Sequence, residues 1–140
     1  MEEKELVVKK RNCLFRFPED MQYRDLAPVF PELLDFFMRI SDQYPEDSGE
    51  EYMETLIRLN LKDLVANNKP MGHNREARYR MIFPRDTDRV EFFVYPRISE
   101  EESKIDHIVK QLSEFFKERD MEHELVWDQM RSLMKEQKKK

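Results

Sequence analysis

Residues 77–96, ARYRMIFPRDTDRVEFFVYP, set two runs of alternating side chains on either side of an Arg-Asp-Thr-Asp turn. The first run puts Ala77, Tyr79, Met81 and Phe83 on one face and Arg78, Arg80 and Ile82 on the other, because successive strand residues point to opposite sides. The second sets Val90, Phe92 and Val94 against Glu91, Phe93 and Tyr95. This spacing predicts a β-hairpin. Both faces of its second strand are apolar or aromatic, which predicts a position inside a sheet. The first strand has one charged face and reads as half-exposed.

The chain before the hairpin supplies more strand and then helix. Residues 5–17, ELVVKKRNCLFRF, read as two short strands, Glu5 to Lys9 and Asn12 to Phe17, turned at Lys10-Arg11. Cys13, Phe15 and Phe17 share a face opposite Leu14 and Arg16, and Pro18 ends the run. Pro31 suits a first helical turn, where a missing N–H costs nothing. Leu33, Phe36, Phe37, Ile40 and Tyr44 then follow helical spacing as far as Pro45. Ser48 and Glu51 form a capping-box pattern ahead of Met53, Leu56, Ile57, Asn60, Leu61 and Leu64, with Asn67-Asn68 as the stop. Two antiparallel helices joined by an acidic loop are expected.

After the hairpin, Ser99 and Glu102 give a second capping-box pattern. The apolar stripe runs through Ile105, Ile108, Val109, Leu112, Phe115 and Phe116, then Val126, Trp127, Met130, Leu133 and Met134, with Arg119 and His123 in phase between the halves. One helix over 99–137 would be about 55–60 Å long at 1.5 Å per residue, whereas a domain of this size has a radius of gyration near ~14 Å. A long C-terminal helix that bends or breaks near Asp120 is therefore expected. The predicted fold is α+β, a single domain over 1–137 with a frayed basic tail at 138–140. A small antiparallel sheet, made from the N-terminal strands and the 77–96 hairpin, packs against two mid-chain helices and the C-terminal helix.

Composition removes several function classes. The 140 residues contain two glycines, Gly49 and Gly72, too few for a phosphate loop or a dinucleotide fingerprint. Cys13 is the single cysteine, so neither an intrachain disulfide nor a multi-thiolate metal site can form. No run approaches the ~20 apolar residues of a membrane span, and MEEKELVVKK is acidic where a secretory signal is basic. These features point to a cytoplasmic protein that uses no membrane, metal or cofactor. Net charge is −5, from 25 basic and 30 acidic residues, but the layout is uneven. Positions 41–54 hold six acids and no base, whereas 69–98 hold seven bases and four acids. The acidic whole disfavours non-specific nucleic-acid binding, and the basic segment leaves room for a local anion site.

Five features qualify as candidate sites. Arg75, Arg78, Arg80, Arg85, Arg89 and Arg97 lie on or beside the aromatic-rich hairpin, where planar guanidinium forks and rings suit phosphates and bases. The plainer account is exposed strand charges paired with nearby acids. Asp86-Thr87-Asp88 has a magnesium-like spacing but sits where turn chemistry already favours Asp. His73 is read as an exposed loop histidine, with a general base as the sharper alternative, and neither His107 nor His123 has zinc-ligand spacing. Cys13 is read as a small packed hydrophobe rather than a nucleophile. The last is the stripe of Arg119, His123, Val126, Trp127, Met130, Leu133 and Met134, which lies late in the chain where a small body runs out of surface to cover it. The leading expectation is a non-catalytic protein-interaction or regulatory subunit that contacts another protein, or a second copy of itself, through this stripe. The alternatives are nucleic-acid or phosphate binding by the arginine hairpin, and an enzyme whose site leaves no motif.

Overall fold

The computed structural model describes residues 11–47, 49–73, 77–85, 87–97 and 104–128. Its elements in chain order are β1 (Cys13–Arg16), α1 (Tyr23–Leu26), α2 (Phe30–Ile40), α3 (Gly49–Val65), β2 (Tyr79–Ile82), β3 (Glu91–Pro96), α4 (Ile105–Glu118) and β4 (Glu124–Trp127). The four strands form one antiparallel sheet in the order β2-β3-β1-β4. The fold is α+β, and β3 lies inside the sheet as its two apolar faces require.

The alternation sorts the side chains as the spacing predicts. Cys13, Phe15, Phe17, Tyr79, Met81, Phe83, Val90, Phe92 and Val94 join one buried cluster with the inner faces of the helices. Phe15 stacks on Phe92 at 4.9 Å between ring centroids, and Phe17 meets the edge of Phe116 at 5.0 Å. Each such aromatic pair contributes about 0.5–1.5 kcal/mol beyond its buried area.

Three helices end by one device. After α2, Gln43 N–H donates to Met38 O and Asp42 N–H to Arg39 O; after α3, Asn68 donates to Asp63 O and Asn67 to Leu64 O; after α4, Met121 donates to Phe116 O and Asp120 to Lys117 O. In each case the residue that reverses the chain has left-handed backbone: Asp42 at φ 60°, Asn67 at 63° and Asp120 at 58°. This is the Schellman arrangement, with Asp or Asn standing where glycine is usual. A chain with so few glycines meets the need with the two side chains that best tolerate that conformation.

Two expectations are corrected. The first mid-chain helix stops at Ile40 rather than running through Tyr44, because Asp42 turns the backbone and Ser41 Oγ donates to Phe37 O at 2.6 Å. The C-terminal stripe is not one helix. It breaks at Asp120, as its length demanded, but Glu124–Trp127 beyond the break is a strand paired with β1. A four-residue run ELVW fits either period, and hydrogen bonding to the β1 edge decides it. Several expectations fall outside the described residues: the strand over 5–9, Ser48 of the first capping box, the whole of the second, and the 138–140 tail.

Candidate functional site

The two edges of the sheet differ in how their backbone groups are used. On β2, the backbone groups of Tyr79 and Met81 face away from β3, while their side chains are buried. Met81 exchanges both backbone bonds with His73, at 2.9 Å each. Tyr79 is met by a side chain instead: Gln43 Oε1 accepts from Tyr79 N–H at 3.1 Å and Gln43 Nε2 donates to Tyr79 O at 3.1 Å. The Gln43 amide stands in for a neighbouring strand, and it can do so because α2 has already ended at Ile40. This edge is closed, as proteins close edges that would otherwise pair with other chains.

On β4 the situation is reversed. Asp128 N–H donates to Asn12 O at 2.8 Å. Antiparallel alternation therefore turns the backbone groups of Glu124 and Val126 toward β1 and those of Leu125 and Trp127 away from it. No described residue bonds to the Leu125 or Trp127 backbone. Their side chains pack partly against the main cluster, and Arg11 lies over the Trp127 ring at 4.2 Å while pairing with Asp106 and Asp128.

On the sheet face opposite the helices, Ile82, Phe93, Leu14 and Val126 stand in register, one from each strand. They form an apolar band across the sheet, with Leu14 and Phe93 buried at its centre and Ile82 and Val126 half-buried at its ends. Beside it Arg16 pairs with Glu91 at 3.0 Å. At the start of β4 an open groove of about 780 Å³ is lined by Pro18, Met21, Val29 and Met121 together with charged residues of α1 and the α4–β4 turn.

The stripe residues separate accordingly. Arg119 is used within the fold: its guanidinium lies 3.6 Å from the Phe115 ring centroid, donates to Phe115 O, and pairs with Glu32 at 3.5 Å. His123 is also held, with Nδ1 2.9 Å from Met121 O and Nε2 2.7 Å from Ser113 Oγ. With Nδ1–H donating to the carbonyl, Nε2 accepts a hydrogen bond from the Ser113 hydroxyl. The imidazole packs among Phe15, Phe17 and Phe116. Ser113 is buried, so this hydroxyl–imidazole pair ties α4 to the approach of β4 rather than meeting a substrate. Val126 and Trp127 fall on opposite faces of the edge strand, both half-buried. Met130, Leu133 and Met134 lie outside the described residues.

The hairpin arginines do not converge. Arg85 and Arg89 sit at the turn end, where Arg89 Nε donates to Phe17 O at 2.8 Å. Arg78 and Arg97 sit at the other end, joined through Arg97 N–H to Arg78 O at 2.8 Å, and Arg80 lies next to them. Arg75 is outside the described residues, as is Asp86 of the Asp-Thr-Asp turn. Thr87 Oγ1 accepts from Arg89 N–H, which is turn chemistry.

The remaining titratable candidates are engaged. Cys13 is buried, and that burial pushes its thiol up to about 12, far from a reactive thiolate. His73 is not the exposed loop residue expected from sequence. It is buried beside β2, with burial holding its imidazole below the ordinary value. The signal for that burial was Gly72. Its φ of 73° and the 2.1 Å that would separate an added Cβ from Met81 O show the loop pressed against the strand. Asn60, fully buried on α3, clamps the same loop by accepting from Gly72 N–H at 2.7 Å and donating to Gly72 O at 3.3 Å. Among the described residues no group of three His, Cys, Asp or Glu is placed to hold a metal, and no helix is long and apolar enough to cross a membrane. Comparison with protein-family models, curated proteins and solved structures finds no match in any of the three.

Proposed function

We propose that this chain is a non-catalytic protein-interaction or regulatory subunit that binds through its C-terminal region from β4 onward. The observation that carries this reading is the position of Val126 and Trp127. Both are partly exposed on an edge strand, at the rim of the sheet, where they lead directly into the stretch holding Met130, Leu133 and Met134. Aromatic residues and Met are among the residue types enriched in protein interfaces. The engagement of Cys13, His73 and His123 inside the fold supports a binding role over an acid–base or nucleophilic one.

Light scattering and affinity capture compare the wild type with a Trp127→Asp, Met130→Asp double variant. The wild type is expected to show an assembly mass above 17.2 kDa or a reproducible bound protein, and the variant to lose it while its circular dichroism stays native. A folded variant with unchanged mass and unchanged partners would refute the reading. One observation favours a second reading, anion or nucleic-acid binding by the hairpin. Arg80 Nε is buried with no hydrogen-bond partner among the described residues, and its guanidinium lies 5.9 Å from the Tyr95 ring centroid.

A further inference from the structure

We propose that the outer edge of β4, whose outward backbone groups meet no described residue, receives an extended segment of a partner protein, added as a fifth, antiparallel strand, with apolar residues followed by basic ones. This rests on the interaction reading above and specifies its mode and the partner's chemistry.

The first support is the contrast between edges. The outward groups of β2 are met by His73 and by the Gln43 amide, whereas the N–H and C=O groups of Leu125 and Trp127 meet no described residue. Strand addition supplies main-chain hydrogen bonds to such an edge, with alternate side chains giving selectivity. The second support is the surface that the edge presents. An incoming strand would extend the Ile82–Phe93–Leu14–Val126 band by one position on one face and lie beside Leu125 and Trp127 on the other. Three residues of the segment therefore need to be apolar.

Charge sets the rest. Asp120, Glu122 and Glu124 are exposed at alternate positions leading into the strand, and none has an ion pair among the described residues. The nearest cross-strand base, Arg16, is committed to Glu91. Lys117 and Arg89 line a second groove, of about 470 Å³, alongside Glu122 and Glu124, so this end of the site is mixed, but the only charged residue of the strand itself is Glu124. In an antiparallel arrangement the residues after the apolar trio fall opposite Glu124 and then Glu122, which selects Lys or Arg there. The same acids count against pairing with β4 of a second copy. Centring two copies on Val126 would set Glu124 opposite Asp128, and like charges directly opposite are destabilising.

The test uses the full chain and the synthetic peptide TVVIKTK, read by the fluorescence of Trp127, the only tryptophan. Saturable binding is expected. It should weaken at least about tenfold when alternate peptide nitrogens are methylated, which removes backbone donors without changing side chains, and similarly for the peptide TVVIETE. Reversing Glu122→Lys and Glu124→Lys, both exposed, should exchange the preference between the two peptides. No binding of TVVIKTK overturns the proposal, as does indifference to N-methylation. Equal binding of the lysine and glutamate peptides overturns its charge rule. If the peptide fails while Trp127→Asp, Met130→Asp still abolishes assembly, strand addition falls and the interaction reading stands. If the peptide binds and assembly is unaffected by that double variant, the edge site stands without the broader reading.

Discussion

His73 shows how far burial alone changes a residue. Its backbone belongs to the sheet through two 2.9 Å bonds to Met81, and its ring meets the Phe37 ring edge-on at 6.4 Å. Burial disfavours the imidazolium, so the folded chain binds this proton less readily than the unfolded chain, whose histidine titrates near ~6.5. The stability gained is present above that value and lost as pH falls through the depressed folded value. Thermal unfolding between pH 7.5 and 5.5 should show stability falling with acid in the wild type and a shallower fall in His73→Asn. Equal slopes would mean that His73 does not carry the effect. Cys13 tells the same story without a pH window in the working range, since its thiol is inert while the sheet is intact.

Among the elements, the reversal at Asp120 decides most. A helical stripe of the length read from sequence would carry Val126 and Trp127 far from β1. The left-handed residue at 120 sends the chain back instead, and Met121, the next residue, donates to Phe116 O. Ser113 and His123 then fasten the return. Left-handed backbone costs non-glycine residues roughly 1–2 kcal/mol, Asp and Asn somewhat less. Chemical denaturation should therefore find Asp120→Gly neutral or stabilising by up to about 1 kcal/mol, and Asp120→Val destabilising by about 1–2 kcal/mol. Similar values for the two would show that the turn does not depend on the backbone angle.

Over the molecule as a whole, the described hairpin arginines are distributed rather than gathered. The arginines at the two ends of the hairpin are separated by the length of the strands; Arg89 is bonded within the fold, as are Arg16 and Arg119 elsewhere in the chain. If the hairpin binds phosphate-bearing ligands, the site belongs to the Arg78–Arg80 end, beside Tyr95. Single-stranded RNA or DNA binding should then weaken with salt, and Arg78→Ala with Arg80→Ala should reduce the slope by about one for each phosphate that is no longer neutralised. Absence of binding to either polymer at low salt removes this reading.

The amino-acid sequence determined the hairpin, the face on which each of its residues lies, the interior position of β3 and the two mid-chain helices, because all of these follow from local periodicity and from stop signals within a few residues. It also located the break near Asp120. Tertiary structure alone decided that ELVW is a strand, that Gln43 closes one sheet edge, that His73 is buried, and that the late apolar stripe divides between two faces. Each depends on what a distant segment places alongside: β1 for ELVW, β2 for Gln43 and His73. A short run whose pattern fits two periods adopts whichever conformation satisfies its backbone hydrogen bonds, and for ELVW those partners lie on β1, near the other end of the chain.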